Sequence, residues 1–328
     1  MTTVTIVGAG AIGGLIGTKL ARAGRADVSA LARGDTLAAL RQHGFRLRTA
    51  DGMVQAPARA SADAAELGPQ DIVIIAVKAP ALTQVARAIA PLLAPHTLVV
   101  PAMNGVPWWF CAGLAGAAGG ALASVDPGGV IAAAIPFDSV LGCVVHAAAS
   151  TSEPGLVQHR NGYGLIVGEP KGGRSDRAQT VVDLLGAAGF DVTHSADVRY
   201  DIWYKLWGNM TMNPVSALTG ATGDRILGDP LVRAFCSAVM GEAAAIGEKI
   251  GCRITQSAED RHALTAALGA FKTSMLQDVE AGRAIELDAL VSAVREIGGR
   301  VGLPTTNIDI LLGLTRLFGR VRGLYPES

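Results

Sequence analysis

The sequence predicts a mixed α/β protein: a doubly wound parallel sheet with added edge strands, followed by an all-α C-terminal domain. Three observations favour this fold. A short apolar run is followed at once by clustered glycines, further apolar runs alternate with helical segments, and helical periodicity prevails after residue 195. The 328 residues are too many for one typical domain and suit two. We predict domains at residues 1–195 and 196–328.

The first part of the chain has the pattern of a strand–helix–strand unit. Residues 4–7 are apolar, a helical pattern continues to about Ala23, and Gly24 ends it before a second strand at residues 28–32. The apolar runs at residues 71–77 and 97–103 have the near-continuous aliphatic character of parallel strands covered on both faces. A helix at residues 80–93 separates them, which favours a parallel, doubly wound sheet.

The pattern of residues along the chain changes after Val140. Short strand-like segments separated by Gly, Pro, Asn and Ser are expected as strands added at one edge of the sheet; they cover residues 141–149, 155–159 and 164–168. A helix at about residues 177–188 and a strand at 191–194 close the first domain. Beyond residue 195, apolar residues recur at helical spacing, and the last helix is expected at residues 308–318.

Composition and charge exclude several classes of protein. Lys and Arg number 28 and Asp and Glu number 28, so the formal net charge is zero and no global field attracts nucleic acid or an anionic membrane. The four cysteines are far apart and form no C-x-x-C pair, which argues against a disulfide framework or a zinc site. An uncharged run at residues 94–125 is long enough to span a bilayer, but three prolines interrupt it. We predict a cytoplasmic protein that binds no metal, nucleic acid or membrane.

A glycine-rich turn follows the first strand and opens the first helix. In a unit of about thirty residues this is the context that a dinucleotide-binding G-x-G-x-x-G motif requires, so a Rossmann-type domain is predicted. Gly8 permits the tight turn, Gly10 lets the backbone approach a pyrophosphate, and Gly13 lets the helix pack closely on the strand. The predicted cofactor-binding residues here are Gly8, Ala9, Gly10, Ala11, Ile12 and Gly13. The alternative is a tight turn that holds no ligand.

The end of the second strand distinguishes the two nicotinamide cofactors. NAD sites usually place an acidic residue there to accept a hydrogen bond from the ribose 2′-hydroxyl. This chain has Arg33, whose forked donors suit a 2′-phosphate, followed by Gly34 and Asp35. We therefore predict NADP (NADPH) as the cofactor, with Asp35 as the competing NAD-type candidate and an ordinary solvated arginine as the plain alternative.

Two further polar residues directly follow predicted strands. Lys78 comes after the 71–77 strand, and Asn104 comes after the 97–103 strand. Ligands of open parallel sheets bind outside the carboxyl ends of the strands, where Gly8 is also expected. Either residue alone would more often be a solvated loop residue than a ligand, but their occurrence together with Gly8 at one sheet edge predicts that Lys78 and Asn104 bind the cofactor.

One predicted helix carries a polar stripe among apolar residues. Lys205, Asn209 and Asn213 are spaced i, i+4 and i+8, so they share one face of a helix that is otherwise rich in Trp, Leu and Met. We expect this helix to be buried at the domain junction. A buried lysine ammonium is costly unless it has a hydrogen-bonding or charged partner, or a functional role. The alternative is a lysine that extends its amine to solvent, with two amides that tie down neighbouring loops.

Taken in order, five motifs resemble the ketopantoate reductase (2-dehydropantoate 2-reductase) family. They are GAGAIG at residues 8–13, VKA at 77–79, MNG at 103–105, KLWGN at 205–209 continuing to Asn213-Pro214, and SMLQD at 274–278 with Glu286. The resemblance runs from residue 1 to about residue 305. It implies a Rossmann domain and a helical domain in an NADP-dependent oxidoreductase. The implied reaction reduces the ketone of a 2-oxo acid to a 2-hydroxy acid, most often ketopantoate to pantoate in pantothenate biosynthesis.

The resemblance also implies roles for individual residues. Lys205 would donate a proton to the carbonyl oxygen, and Glu286 would lie by the cofactor ribose and Lys205 and help to orient them. The substrate would be held by Asn104, Lys205, Asn209, Asn213 and Ser274, the last through its carboxylate. Asn104 and the backbone of Ala147 would also contact the cofactor. A partly buried ammonium suits this chemistry because a ketone oxygen that receives a hydride needs positive charge and a proton.

Departures from the family pattern leave the substrate more open than the reaction. Residues 220–224 lack an asparagine that members acting on ketopantoate often carry, residues 271–273 lack a polar residue common before Ser274, and residues 107–129 include an insertion. The alternatives are therefore a related NAD(P)-dependent dehydrogenase for another, larger or more apolar 2-oxo acid, and a non-catalytic NADP-sensing protein. The predicted partner is a small-molecule 2-oxo acid, and a homodimer is left open.

Overall fold

The computed structural model describes residues 1–327 and divides into two compact units. The first contains residues 1–103 and 129–201, and the second contains residues 104–128 and the chain from Ile202 onward. From the sequence, residues 104–128 are expected in the first domain. They group with the helices instead because their large side chains are buried there; the Phe110 ring, for example, stacks on that of Trp203.

The strands all lie in the first unit. They are β1 (Thr2–Val7), β2 (Ala26–Leu31), β3 (Phe45–Thr49), β4 (Gly52–Ala56), β5 (Arg59–Ser61), β6 (Ile72–Ile75), β7 (Leu98–Pro101), β8 (Gly142–Glu153), β9 (Leu156–Gly168) and β10 (Asp191–Ser195). The α-helices of this unit are α1 (Ala11–Ala23), α2 (Gly34–His43), α3 (Ala64–Leu67), α4 (Leu82–Ala88), α5 (Val130–Ala134) and α6 (Asp176–Ala187). Short 3-10 turns lie at Ala79–Ala81, Ala90–Leu92, Gly116–Ala118, Pro127–Gly129 and Phe137–Ser139.

The first sheet is parallel throughout, in the order β5-β2-β1-β6-β7. All four residues of β6 are buried, as expected for a strand covered on both faces. The register aligns Val7 with Leu31 and with Ile75, so neighbouring strands end at one edge. The doubly wound parallel fold class predicted from the sequence is confirmed.

The additional strands form a second sheet. Strand β9 pairs with β8 antiparallel and with β3 and β10 in parallel, and β4 completes a hairpin with β3. An isolated bridge between Val99 and Val140 joins residues of the two strand systems. Helix α1 packs against both sheets at a close approach, since a Cβ on Gly17 would lie 2.5 Å from the Phe45 ring. The β3–β4 hairpin has no counterpart among the sequence expectations.

Helix α7 (Val198–Thr219) carries the chain into the second unit, which is helical. The helices that follow are α8 (Gly223–Gly228), α9 (Pro230–Lys249), α10 (Ala258–Ala266), α11 (Ser274–Glu280), α12 (Ala293–Arg300) and α13 (Thr306–Val321). A π-helical turn at Asp288–Ser292 leads directly into α12. The predicted all-α C-terminal region is confirmed.

Helix α9 is the centre of the helical unit, in contact with α8, α10, α12 and α13. Val239 and Ile246 are fully buried, whereas Leu231 in the first turn is 81% exposed. Within residues 1–327, this helix is long and apolar enough to cross a membrane by length and composition alone, with a mean hydropathy of 1.2. Core helices of soluble proteins can have the same length and apolar composition.

Candidate active site

The glycine-rich turn has the backbone geometry that its sequence predicts. Gly8 adopts φ +88°, and a Cβ there would lie 2.5 Å from the Val77 side chain. A Cβ on Gly13 would lie 2.1 Å from the Gly8 carbonyl oxygen, so α1 could not pack as closely on β1 with any larger residue. The turn is held in place because the Gly8 amide donates to the Leu31 carbonyl at 3.1 Å.

The start of α1 fits a dinucleotide pyrophosphate. Gly10 is exposed, and no heavy atom outside the turn lies within 4 Å of where its Cβ would be, which leaves room for a ligand against the backbone. No side chain caps this helix, and its first turn contains no acidic residue. The backbone N–H groups and the positive end of the helix dipole therefore remain available to an anion. Ala11 and Ile12 are partly exposed beside Gly10, whereas Ala9 is buried.

Three predicted residues follow the carboxyl ends of adjacent strands. Gly8 follows β1, Arg33 follows β2 and Lys78 follows β6, and these strands are paired in register. Arg33 is exposed and precedes α2 as its N-cap residue, whereas Asp35 lies within the first turn of that helix. Lys78 is half-buried at the start of a 3-10 turn. This edge of the sheet therefore carries two cations beside the open helix terminus.

Ala147 lies at an irregular point of the second sheet. The β8–β9 register shifts between His146 and Ala148, so Ala147 falls outside the regular pairing. Irregularities of this kind change the direction of backbone groups and are common beside functional sites. The contact between the Ala147 backbone and the cofactor stays a prediction.

In the helical unit, Lys205 and Asn104 are brought together. The Lys205 Nζ donates to Asn104 Oδ1 at 2.8 Å, although the two residues are 101 positions apart in the chain. Lys205 is half-buried on α7, with buried Trp203 and Leu206 beside it in sequence. The Asn104 amide oxygen orients the ammonium without neutralising its charge, because an amide is a dipole and carries no net charge.

The other polar residues of the stripe lie further along α7. Asn209 is half-buried one turn after Lys205, and Asn213 is buried one turn later. Asn213 Nδ2 donates to Ser274 Oγ at 3.3 Å. Ser274 is exposed at the first position of α11, which is fixed because the Thr273 hydroxyl caps the helix by accepting from the Leu276 amide. The stripe and Ser274 thus present amide and hydroxyl groups of the kind that bind polar substrates.

Glu286 lies just before the π-helical turn, half-buried between the buried residues Ile285 and Leu287. The turn itself is fixed by the Asp288 carboxylate, which accepts from the Tyr325 hydroxyl at 2.6 Å and from the Ser292 hydroxyl at 2.8 Å. Burial and the neighbouring Asp288 carboxylate raise the pKa of Tyr325 to about 12. Tyr325 therefore remains a hydrogen-bond donor at neutral pH, and π-helical turns often occur at functional sites.

The predicted residues thus form two groups, one in each unit. The first unit holds the glycine-rich turn with Arg33 and Lys78 at one sheet edge, and the second holds two hydrogen-bonded pairs, Lys205–Asn104 and Asn213–Ser274. Within residues 1–327, no group of three or more His, Cys, Asp or Glu side chains is placed to hold a metal ion. The cysteines of that range form no disulfide.

Two features of the site were not foreseen from the sequence. Gly105 adopts φ +81°, and a Cβ there would lie 2.6 Å from the Ala289 carbonyl oxygen, so the segment after Asn104 lies directly on the π-helical turn. Glu296 on α12 accepts hydrogen bonds from two amides of the same segment. The only sequence signal for Glu296 is its i, i+4 spacing to Arg300, which more often marks a surface ion pair.

Solved structures of low sequence identity share this fold. D-mandelate dehydrogenase in ternary complex with NADH and anilino(oxo)acetate is 19% identical, with a TM-score of 0.84 over 98% of this chain and 99% of that one. A dimeric ketopantoate reductase from Staphylococcus aureus is 20% identical, with a TM-score of 0.75 over 98% and 100% of the two chains. At these identities the likeness concerns the fold.

Closer relatives and family models cover nearly the whole chain. A 2-dehydropantoate 2-reductase from Mesorhizobium japonicum is 46% identical over 98% of this chain and 99% of its own length. A Ralstonia solanacearum protein of known crystal structure is 57% identical, with a TM-score of 0.95 over 99% and 100% of the two chains. The model for ketopantoate reductase PanE/ApbA matches residues 4–172, and the model for its C-terminal domain matches residues 197–318. The chain therefore belongs to the ketopantoate reductase family, a family of oxidoreductases.

Proposed function

We propose that this chain is an NADPH-dependent reductase that converts a 2-oxo acid to the 2-hydroxy acid, with 2-dehydropantoate (ketopantoate) as its leading substrate and pantoate as product. The observation that carries this proposal is the Lys205–Asn104 hydrogen bond of 2.8 Å, which holds a half-buried ammonium in one orientation. Family membership and the name of the 46% identical relative support the choice of substrate. A place in pantothenate biosynthesis and in the cytoplasm is part of the proposal.

The proposed acid is Lys205. When bound, the reduced nicotinamide supplies a hydride to the carbonyl carbon, and the electron pair of the carbonyl bond moves to oxygen. The Lys205 ammonium donates its proton to that oxygen, and the resulting amine recovers a proton from solvent. Positive charge at the oxygen also stabilises the developing alkoxide, an effect that removal experiments in other enzymes value at about 3 kcal/mol or more. Glu286 is proposed as the residue that orients Lys205 and the cofactor ribose.

The remaining predicted residues are proposed as binding groups. Asn209, Asn213 and Ser274 would hold the polar groups of the 2-oxo acid, with the Ser274 hydroxyl donating to the carboxylate. Asn104 would contact both substrate and cofactor. The dinucleotide would be held by residues 8–13, Arg33, Lys78, Glu286 and the backbone of Ala147. The exposed position of Arg33 after β2 supports NADP over NAD, because a guanidinium fork binds a phosphate with two hydrogen bonds.

The chain is also proposed to form a homodimer through α13. Ile310, Leu314, Leu317 and Val321 are 49%, 56%, 61% and 79% exposed and are spaced i, i+4, i+7 and i+11, so they form one apolar stripe on the outer face of this helix. The intervals between these four residues are four, three and four positions, so the pattern is the same in either direction along the helix. An antiparallel pairing with a second copy therefore sets each apolar residue against another.

Charge on the flank of this stripe supports the same partner. Asp309 and Arg320 are eleven residues apart, which is three helical turns, so they lie on one flank at opposite ends of the stripe. In an antiparallel pair about a two-fold axis, Asp309 of each copy lies beside the Arg320 end of the other. The zero net charge of the chain adds no general repulsion between copies.

The proposed function is tested by NADPH oxidation with a panel of 2-oxo acids. The panel contains ketopantoate, pyruvate, a branched aliphatic 2-oxo acid and an aromatic one, each assayed with NADPH and with NADH. We expect the highest kcat/KM for ketopantoate with NADPH. A higher kcat/KM for the aromatic or branched acid would show that ketopantoate is not the preferred substrate, while the proposed reaction would stand. Tight NADPH binding without oxidation of NADPH by any acid would favour a cofactor-sensing protein.

A further inference from the structure

Segment 104–128 begins with the asparagine that contacts Lys205. This segment packs within the helical unit and carries buried apolar residues throughout its length, among them Val106, Phe110 and Leu122, each at most 1% exposed. A loop buried in this way has a defined conformation. The placement of its first residue, Asn104, therefore depends on what holds the rest of the segment.

The first attachment lies immediately after Asn104. The Val106 amide donates to the Ala289 carbonyl at 2.8 Å, and Gly105 approaches the same backbone so closely that a Cβ would lie 2.6 Å from that oxygen. Ala289 belongs to the π-helical turn that continues directly into α12. Residues 288–300 therefore form one continuous helical support, and its start receives the start of the segment.

A second attachment joins the segment to the helix that bears the lysine. The rings of Phe110 and Trp203 stack with centroids 5.8 Å apart and an interplanar angle of 23°, and both are almost fully buried. Trp203 precedes Lys205 by two positions on α7. A stack of this kind fixes the distance between the segment and helix α7.

A third attachment lies at the other end of the segment, on α12. Glu296 accepts from the Ala123 amide at 3.0 Å and from the Ser124 amide at 2.8 Å. Arg300, one turn later, donates to the Gly119 carbonyl at 3.1 Å and to the Ala121 carbonyl, and it pairs with Glu296 at 2.6 Å. Two oppositely charged side chains thus bind both the donors and the acceptors of one backbone stretch.

The carboxylate of Glu296 is held in its charged form. Burial acts to raise the pKa of Glu296, but hydrogen bonds from Ser124, from the Ala123 amide and from Arg300 outweigh burial and lower the pKa below its ordinary value. A lowered pKa means that the ionised form is the one the fold prefers. The contact is therefore intact at neutral pH and is lost only in acid.

We propose that Glu296 and Arg300 are positioning residues that fix segment 104–128 on residues 288–300 and so hold the Asn104 amide oxygen on the Lys205 ammonium. The proposal rests on the proposed role of Lys205 as proton donor. It assigns a role to segment 104–128, most of which lies in the insertion expected at residues 107–129: the segment begins with the hydrogen-bond acceptor of Lys205 and carries the backbone groups that hold it in place. Neither Glu296 nor Arg300 needs to touch substrate or cofactor.

The test compares two Glu→Gln variants that make the same chemical change. Glu296→Gln weakens the hydrogen bonds that hold the Ala123 and Ser124 amides of segment 104–128. Glu242→Gln is the matched control, because Glu242 also accepts backbone amides, those of Asn307 and Ile308, but at the start of α13. Arg300→Lys is a second variant that keeps the charge and loses the fork that reaches two carbonyls. Asn104→Ala removes the contact itself and serves as the reference.

Two measurements are made on each full-length variant. The first is competitive acetylation of Lys205 across pH, read by mass spectrometry, which gives the pH at which half of the amine is reactive. The second is kcat/KM for NADPH-dependent reduction of ketopantoate. We expect Glu296→Gln and Arg300→Lys to shift the acetylation midpoint downward in the same direction as Asn104→Ala, because the ammonium loses a fixed acceptor. We expect kcat/KM to fall roughly ten- to hundred-fold, with both quantities unchanged in Glu242→Gln.

The outcomes separate this proposal from the proposed function. An acetylation midpoint at the wild-type value in Glu296→Gln and Arg300→Lys would overturn it, as would an equal shift in Glu242→Gln or no shift in Asn104→Ala. A wild-type chain that reduces no 2-oxo acid would refute the proposed function. The acetylation midpoints would still decide whether Glu296 and Arg300 position Asn104 on Lys205, because they require no turnover.

Discussion

Lys205 combines two properties that a proton donor to a ketone requires. Its ammonium is half-buried, so its field is screened less than it would be in water. Its hydrogen bond goes to the Asn104 amide oxygen at 2.8 Å, so the charge is oriented without being cancelled by that partner. A lysine on the surface would have neither constraint, since it would move freely on a long flexible side chain.

Arg33 is the residue on which the proposed preference for NADPH over NADH depends. Arg33→Ala should weaken NADPH binding roughly ten- to hundred-fold and leave NADH binding almost unchanged, because only the 2′-phosphate offers the guanidinium a charged, two-fold acceptor. Dissociation constants for both nucleotides, measured by fluorescence titration, check this expectation. Arg25→Ala is the matched control, since Arg25 is also exposed and lies just before β2, whereas Arg33 lies just after it.

Two results would contradict the assignment of Arg33. One is an equal loss of affinity for NADPH and NADH, which would indicate a role in the fold or in pyrophosphate binding. The other is an equal effect of Arg25→Ala, which would indicate that only the general positive charge matters. In either case Asp35 would become the residue to test for a ribose hydroxyl contact.

The candidate residues could be predicted from the sequence only where local spacing carries the information. The stripe of Lys205, Asn209 and Asn213 follows from helical periodicity, and the glycine-rich turn follows from its position between a strand and a helix. Pairing between distant residues could not be derived in this way: Lys205 meets Asn104 across 101 positions, and Asn213 meets Ser274 across 61. Only the family resemblance predicted that these residues belong to one site.

Helix α1 shows how one element joins fold and site. Its glycines permit close packing on both sides, since a Cβ on Gly13 would meet the Gly8 carbonyl and one on Gly17 would meet the Phe45 ring. This packing fixes the N-terminus of the helix at the sheet edge where Arg33 and Lys78 also lie. The same small residues that allow the two sheets to share one helix therefore create the predicted anion site.

Helix α13 carries the surface on which the proposed dimer depends. Replacing Leu314 and Leu317 together by Glu should convert a dimer into a monomer, because four carboxylates would then face one another across the two-fold axis. Sedimentation velocity of the wild-type chain and the variant measures the change. The expected magnitude is a complete loss of the dimer at concentrations where the wild-type chain is dimeric.

A second pair of exposed leucines provides the control for this prediction. Leu264 and Leu268 are 54% and 62% exposed and lie four positions apart, close to the three-position spacing of Leu314 and Leu317. Replacing both by Glu adds the same charge elsewhere on the helical unit and should leave the dimer intact. A monomeric wild-type chain would contradict the proposal, and so would an α13 variant that remains dimeric.

The elements themselves were predictable to different degrees. Strands β6 and β7 of the first sheet are short and continuously apolar, and the alternation of strands with helices specifies a parallel arrangement. The strands after Val140 form a second sheet with the β3–β4 hairpin, because strand pairing over long separations is set by packing and not by local pattern. Segment 104–128 joins the helices for the same reason: Phe110 finds its partner in Trp203.

The whole chain contains the residues of the two kinds of site that the proposed nicotinamide-dependent reduction requires. The first unit has an open helix terminus and two cations for a dinucleotide, and the second has an oriented ammonium with amide and hydroxyl groups for a polar acid. Neither kind alone would make a reductase. The retention of both in a single chain is what argues against a protein that only senses the cofactor.

The most direct test of the account is the turnover of Lys205→Ala with ketopantoate and NADPH, measured beside the dissociation constant for NADPH. Lys249→Ala, in the last turn of α9, is the matched control for loss of a lysine in the helical unit. We predict that kcat of Lys205→Ala falls about a thousandfold or more while NADPH affinity stays close to that of the wild-type chain. A variant that keeps its turnover within a few-fold of the wild-type value, and binds NADPH normally, would contradict the account.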